Sequence, residues 1–239
     1  MRTFLGLRLY EVADHASMRP SPEVDGSSEL TQEIVMDALE QLALWYLRLN
    51  GYFVTPNFIA HGDGGPRTDV DLLAVRFPHS REYPDDSQRL HIPGNKIDVV
   101  FAESKTGRCK LNGPWKAAGN HHALEYVLRR VGILENDKSI AAAANGLYEK
   151  QSYEGGDFVV RIVCFGSQTN GTLHRVTQVM WPDVLSFINH RFVTYQAQKA
   201  EHQHWDSFGA YLWDNLSGDV VPNVTAIGDG WKAKCPCWP

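Results

Sequence analysis

The sequence predicts an α/β fold in the order helix, strand, strand, strand, helix, strand, closed by C-terminal helices. Two apolar runs of strand length, Val70–Phe77 and Ile97–Lys105, are rich in Val, Ile, Leu and Phe. A long amphipathic segment, Glu29–Asn50, precedes them, and a further β-branched run, Phe158–Phe165, follows a second helical segment. At 239 residues the chain can bury a substantial core, as one large domain or as a core with a helical appendage.

Taken in order, residues 1–28 form an extension: Thr3–Val12 has apolar character, and Ala16–Ser28, with two prolines, Gly26 and several serines, reads as a linker. Glu29–Asn50 is the strongest helix. Ser28 is placed to cap it, Glu29 and Glu33 sit near its positive end, and Gly51 follows Asn50 as a stop. Val35, Leu39, Leu42, Tyr46 and Leu49 recur at helical spacing and define its core face. Tyr52–Ala60 is a first strand, with Pro56 marking an edge or a bulge. The glycine-rich turn HGDGGPR, His61–Arg67, reads as a hairpin connection whose amides also suit a phosphate.

Between the two apolar strands, Pro78–Asn95 carries Arg81, Arg89 and His91 and is longer than a hairpin needs, as substrate-contacting loops often are. After Lys105 the chain passes Gly107, Arg108 and Lys110 to Gly113-Pro114, where proline suits a first helical turn. Pro114–Leu134 reads as a helix, with Trp115, Ala118, Leu124, Val127 and Val131 for packing, and Ala141–Lys150 as a short one. Pro182–Arg191 and Phe192–Leu216 close the fold as helices, the second with a stripe of Trp205, Phe208, Leu212 and Leu216. The Gly- and Pro-containing segment from Ser217 onward predicts an irregular tail. The expected organisation is therefore an extension, 1–28, a core, 29–179, a helical extension, 180–216, and a tail, 217–239.

Asp and Glu outnumber Lys and Arg by 28 to 23, a net charge of −5, which argues against a protein that coats nucleic acid through bulk positive potential. A cation and a local basic groove are still able to hold phosphate. No apolar run reaches spanning length, and MRTFLGLRLYEVADH lacks the apolar core and cleavage site of a signal peptide, so a soluble cytoplasmic protein is expected. Cys109, Cys164, Cys235 and Cys237 are scattered and form no disulfide framework. Neither His121 and His122 nor His202 and His204 have the helical spacing of a metal pair.

The chemistry concentrates in the two apolar strands. Side chains alternate along a strand, so Asp69, Asp71, Leu73 and Val75 share one face, as do Ile97, Val99, Phe101, Glu103 and Lys105. Each apolar face thus runs into charge at one end. Antiparallel pairing would bring Asp71, Glu103 and Lys105 together, since the acids lie at the start of one strand and the end of the other. A charged strand end is more often a solvated edge or an ion pair, and an acid-x-Lys triplet is common by chance. The apolar approach to both acids favours instead a site for a hard divalent cation and an activated water.

Asp71 in DVDLLAV and Glu103-Ser104-Lys105 in VVFAESKTG, in this order of elements, resemble the core of the PD-(D/E)XK nuclease superfamily. Glu40-x-x-Ala43-x-x-Tyr46-Leu47-x-x-x-Gly51-Tyr52 is similar to the first-helix pattern of the branch that includes archaeal Holliday-junction resolvases and restriction-endonuclease-like proteins. The resemblance spans Glu29 to Phe165. It implies a restriction-endonuclease-like core, α-β-β-β-α-β, with a central mixed sheet flanked by helices, and metal-dependent hydrolysis of phosphodiester bonds.

On that resemblance Asp71, Glu103 and the Ser104 carbonyl are ligands for Mg²⁺, or Mn²⁺ in its place, and Lys105 orients the attacking water. Glu40 serves a second cation or the waters of the first, with Asp69 a weaker candidate. Arg67, Arg81, Arg108 and Lys110 are candidate substrate contacts. In one branch a Gln four residues before a Tyr supports the site; His122 and Tyr126 have that spacing here, with His in place of Gln. The implied partners are nucleic acid, DNA first, and either a second copy of the chain or another subunit of a bacterial restriction or anti-phage system. Two rivals stand beside this reading: an inactive relative that binds nucleic acid or a protein, and a metal-dependent hydrolase of small phosphate esters.

Overall fold

A computed structural model describes residues 37–60, 68–80, 90, 95–116, 121–200, 206–216, 218 and 221–235. The expectations for residues 1–36, for the turn 61–67 with Arg67, for Arg81, Arg89 and His91, and for His202, His204, Trp205 and Cys237 lie outside these.

Helix α1 spans Ala38–Leu49, a later start than Glu29. Asp37 is non-helical (φ −54°, ψ 147°), and its carboxylate accepts the Leu39 N–H at 3.4 Å. An acid here satisfies one orphan amide and faces the positive end of the helix. At the other end Gly51 (φ +83°) makes the turn into Tyr52.

Strands β1 (Phe53–Ala60), β2 (Thr68–Arg76) and β3 (Ile97–Ser104) follow, successive pairs running antiparallel. Of the predicted helix Pro114–Leu134 the described residues are helical over α2 (Gly113–Lys116) and α3 (His121–Val131). Helix α3 stops at Val131 because Gly132 adopts φ +74° and returns its N–H to the Leu128 carbonyl. Helix α4 (Asp137–Lys150) starts earlier than expected because Asn136 and Ser139 cap it reciprocally.

The next elements are β4 (Ser152–Glu154), β5 (Phe158–Gly166), a 3₁₀ turn at Gly171–Leu173 and β6 (Thr177–Met180). Four helices close the chain: α5 (Trp181–Thr194), α6 (Gln196–Ala200), α7 (Ser207–Leu216) and α8 (Val224–Lys234). Strands β4 and β6 are too short to show a period in the sequence. Helix α8 overturns the expectation of an irregular tail. Its two glycines lower helix propensity, but Asn223 caps it, Ile227 and Trp231 are buried, and the Tyr211 side chain lies against Gly230, where a Cβ would collide with its hydroxyl.

The six strands form one mixed sheet in the order β1-β2-β3-β5-β4, with β6 also on β5. Strand β5 runs parallel to β3; its other edge is shared by β4, antiparallel along Val159–Arg161, and β6, parallel along Val163–Gly166. Strand β1 is an edge strand, as Pro56 predicts. Helices cover both faces. Leu72, Ala74, Val100, Ala102, Val163 and Phe165 pack against α1, α5, α7 and α8; Leu73, Val99, Phe101, Val160 and Ile162 pack against Trp115, α3 and α4. The C-terminal helices therefore share a core with α1 and are not an appendage. Among the described residues no helix is long and apolar enough to cross a membrane.

A matched cluster of charged and polar side chains is sealed beside this core. Asp98, at the start of β3, is fully buried and accepts from Arg161 Nε at 3.0 Å and Nη2 at 2.8 Å, and from the Tyr52 hydroxyl. The bidentate geometry satisfies both carboxylate oxygens and ties the end of α1 to the sheet. Removing only the acid strands a buried guanidinium. Asp98→Ala should lower stability in urea unfolding by about 3–5 kcal/mol, and Asp98→Leu/Arg161→Met by much less.

Candidate active site

The site lies where β2 and β3 part. Their ladder runs from Arg76↔Asp98 to Leu72↔Ala102, while β2 continues along β1 to Thr68 and β3 continues along β5 to Ser104. Asp71 and Glu103 stand opposite each other one step beyond the last rung. Like charges facing across a ladder are destabilising, and the strands open there. The Asp71 Oδ2 instead accepts the Ser104 N–H at 2.8 Å.

Lys105 neutralises part of this pair. Its Nζ lies 2.6 Å from Glu103 Oε2 and 3.8 Å from Asp71 Oδ2. The other Glu103 oxygen accepts the indole N–H of Trp115, from the short helix α2. The Lys105 carbonyl accepts the indole N–H of Trp181, the first residue of α5, at 3.0 Å. Side-chain exposure is 1% for Glu103, 19% for Asp71 and 13% for Lys105, so all three charges are largely withdrawn from water.

Lys105 faces a cleft of ≈ 430 Å³ between the start of α1 and the loop after β3. Asp37 and Glu40 form the α1 side, and Arg108 and Lys110 line the loop side and are exposed. Burial, with the charge of Asp71 added, pushes Glu103 up to about 7. Burial, then Asp71 and Asp37, pushes Glu40 up to about 7 as well. Asp71 is raised by burial against the opposing pull of the Ser104 amide and Lys105. For Lys105 burial acts downward, but its bonds to Glu103 and Asp71 outweigh it and raise the pKa. The group carries more negative charge than its one lysine balances.

Asp71, Glu103, Ser104, Lys105 and Glu40 are thus brought together, with Arg108 and Lys110 on the same cleft. Asp69 is exposed on β2, paired with Ile59. His122 is exposed, 3.6 Å from Glu125, and Tyr126 packs beside it; neither is among the residues lining the cleft. Three participants escape the sequence reading: Asp37, Trp115 and Trp181. Asp37-Ala-Leu-Glu40 has the acid-x-x-Glu spacing of a helix start, which a search for caps inside the long helix would have found. A buried indole needs an acceptor for its N–H, but the sequence does not reveal which one.

Among the described residues no three His, Cys, Asp or Glu side chains form a ready metal cage. The donors present still fit a hard cation that keeps several waters: carboxylates from Asp71, Glu103 and Glu40, all raised in pKa, and the Ser104 hydroxyl, which is buried and without a hydrogen-bond partner. No protein-family model, curated protein or solved structure matches this chain.

The raised carboxylates set a pH dependence. Glu40 and Glu103 titrate near 7 in the folded chain and near 4.5 when unfolded, so the folded state holds more protons in that interval. Their ionisation costs stability that is fully lost above pH 7 and recovered as pH falls toward 4.5. The metal-free protein should therefore melt higher at pH 5.5 than at pH 8. Mg²⁺ should flatten that trend by favouring the ionised forms, and Glu40→Gln should raise the melting temperature at pH 8.

Proposed function

We propose that this protein is a metal-dependent nuclease that hydrolyses phosphodiester bonds, with DNA as the first substrate to test. The observation that carries the reading is the Lys105 ammonium, held by two carboxylates at the parting of β2 and β3 and facing a cleft with Arg108 and Lys110. A mixed sheet flanked by helices, with its acids at the ends of β2 and β3, supports the reading. Asp71, Glu103 and Ser104 would hold Mg²⁺ or Mn²⁺, and Glu40 would bind a second ion or the waters of the first. Such an ion supplies acidified water and neutralises charge on the phosphate oxygens. Lys105 orients the attacking water and offsets the negative charge that builds on the phosphoryl group. Arg108 and Lys110 hold flanking phosphates on the exposed side of the cleft.

The biological setting that suits such an enzyme is a cytoplasmic restriction or anti-phage system, acting as a dimer or with a second subunit that supplies recognition.

The test is cleavage of plasmid, linear duplex, single-stranded DNA and RNA with Mg²⁺, Mn²⁺ or EDTA. Cutting should require the metal, and Asp71→Ala, Glu103→Ala and Lys105→Ala should each lower it by about 10²–10³ or more while circular dichroism stays unchanged. Undiminished cutting by any of the three, or cutting in EDTA, would overturn the proposal.

A further inference from the structure

We infer that Trp115 and Trp181 are positioning residues with separate tasks: Trp115 presents the Glu103 carboxylate to the cation, and Trp181 fixes the backbone that carries Lys105. The inference rests on reading the site as a cation-dependent centre. The two indoles approach the end of β3 from opposite faces of the sheet. Trp115 packs in the cluster beneath α3 and α4, its ring centroid 6.1 Å from that of Phe101. Trp181 belongs to the cluster shared with α1 and stacks on Phe165 at 5.7 Å and 19°. Both are buried, with exposures of 2% and 0%.

Their hydrogen bonds divide the work. Glu103 is the last side chain of its apolar face and has two oxygens to aim. Trp115 takes Oε1, which leaves Oε2 to Lys105, whose Nζ also pairs with Asp71. Without that acceptor the buried indole N–H would itself be unsatisfied, so the contact is favoured from both sides. Residue 105 is gripped differently. Its N–H donates to the Phe165 carbonyl at 3.0 Å and its carbonyl accepts from Trp181 at 3.0 Å. The lysine thus leaves the strand from a backbone fixed on both sides. Between the two grips the Ser104 hydroxyl has no partner. The indoles hold residues 103 and 105 and leave 104 to the cleft.

Trp115→Phe and Trp181→Phe keep an aromatic ring and remove only the donor. Mn²⁺ affinity would be measured calorimetrically without nucleic acid, beside melting temperature and single-turnover cleavage. Trp115→Phe should weaken Mn²⁺ binding roughly ten- to hundredfold, the usual cost of losing a group that orients a metal ligand. Trp181→Phe should bind Mn²⁺ like wild type but cut about tenfold or more slowly, as expected for a misplaced reacting group. Losses of affinity and rate that are equal in both variants and track melting temperature would reduce both residues to packing.

A second measurement alters neither tryptophan. In protein labelled with ¹⁵N at the indoles, Glu103→Gln, and separately Mg²⁺ added to wild type, should move the Trp115 resonance and leave that of Trp181 nearly in place. An unmoved Trp115 resonance while wild type binds Mg²⁺ would overturn the inference and spare the reading of the site. Wild-type protein that binds neither Mg²⁺ nor Mn²⁺ would overturn both.

Discussion

Two carboxylates can face each other at the end of a buried ladder only because an ammonium sits with them. Lys105 Nζ, 2.6 Å from Glu103 and 3.8 Å from Asp71, supplies that charge from the residue immediately after β3. Without it Glu103, 1% exposed, would keep only an indole N–H against the cost of burying an anion. The neutralisation is incomplete. Glu103 still titrates near 7, and so does Glu40 across the cleft. The fold holds these acids near neutrality through geometry, and a further cation would complete what one lysine leaves undone.

That geometry depends on the sheet around it. Because β3 pairs with β5 for two residues beyond its last rung with β2, the chain at Glu103 and Ser104 is still held as a strand when the opposite side is open. Asp71 occupies that opening and replaces a ladder contact with its own bond to the Ser104 amide. The two faces of the sheet then contribute separately. Helix α1 brings Glu40 over the gap from a start fixed by Asp37, while α2 and α5 each deliver one tryptophan to the strand end. A site assembled this way draws on residues from 37 to 181, held by the clusters on the two faces of one sheet.

The sequence made β2, β3 and β5 legible as apolar, β-branched runs and β1 as a strand marked by Pro56, and the convergence of Asp71, Glu103 and Lys105 followed from alternation together with antiparallel pairing. Less local features were hidden. The start of α1 is hidden because Asp37 looks like one more polar residue inside a long helical pattern. Helix α8 was missed because Gly228 and Gly230 argue locally against a helix, whereas its stability comes from burying Ile227 and Trp231 against distant residues. Trp115 reads as a packing residue and Trp181 falls outside the predicted elements; both are buried in the core. Their second task is a hydrogen bond across 12 residues in one case and 76 in the other, and no periodicity encodes such a partner.

Strand β3 carries two charged clusters, and their difference bears on what each is for. At its start Asp98 meets Arg161 and Tyr52 with charges matched, both carboxylate oxygens bonded and no exposure. Such a pair adds order to the core and has nothing left to offer a ligand. At its end Asp71, Glu103 and Glu40 face a single lysine, beside an unpartnered buried hydroxyl and an open cleft with Arg108 and Lys110. Glu40 makes no ion pair with that lysine, so its charge adds repulsion that a purely structural cluster would not need. Three acids that one lysine leaves poorly compensated, beside a cleft and in contrast to the fully matched Asp98, are what the proposed cation-dependent reading would account for.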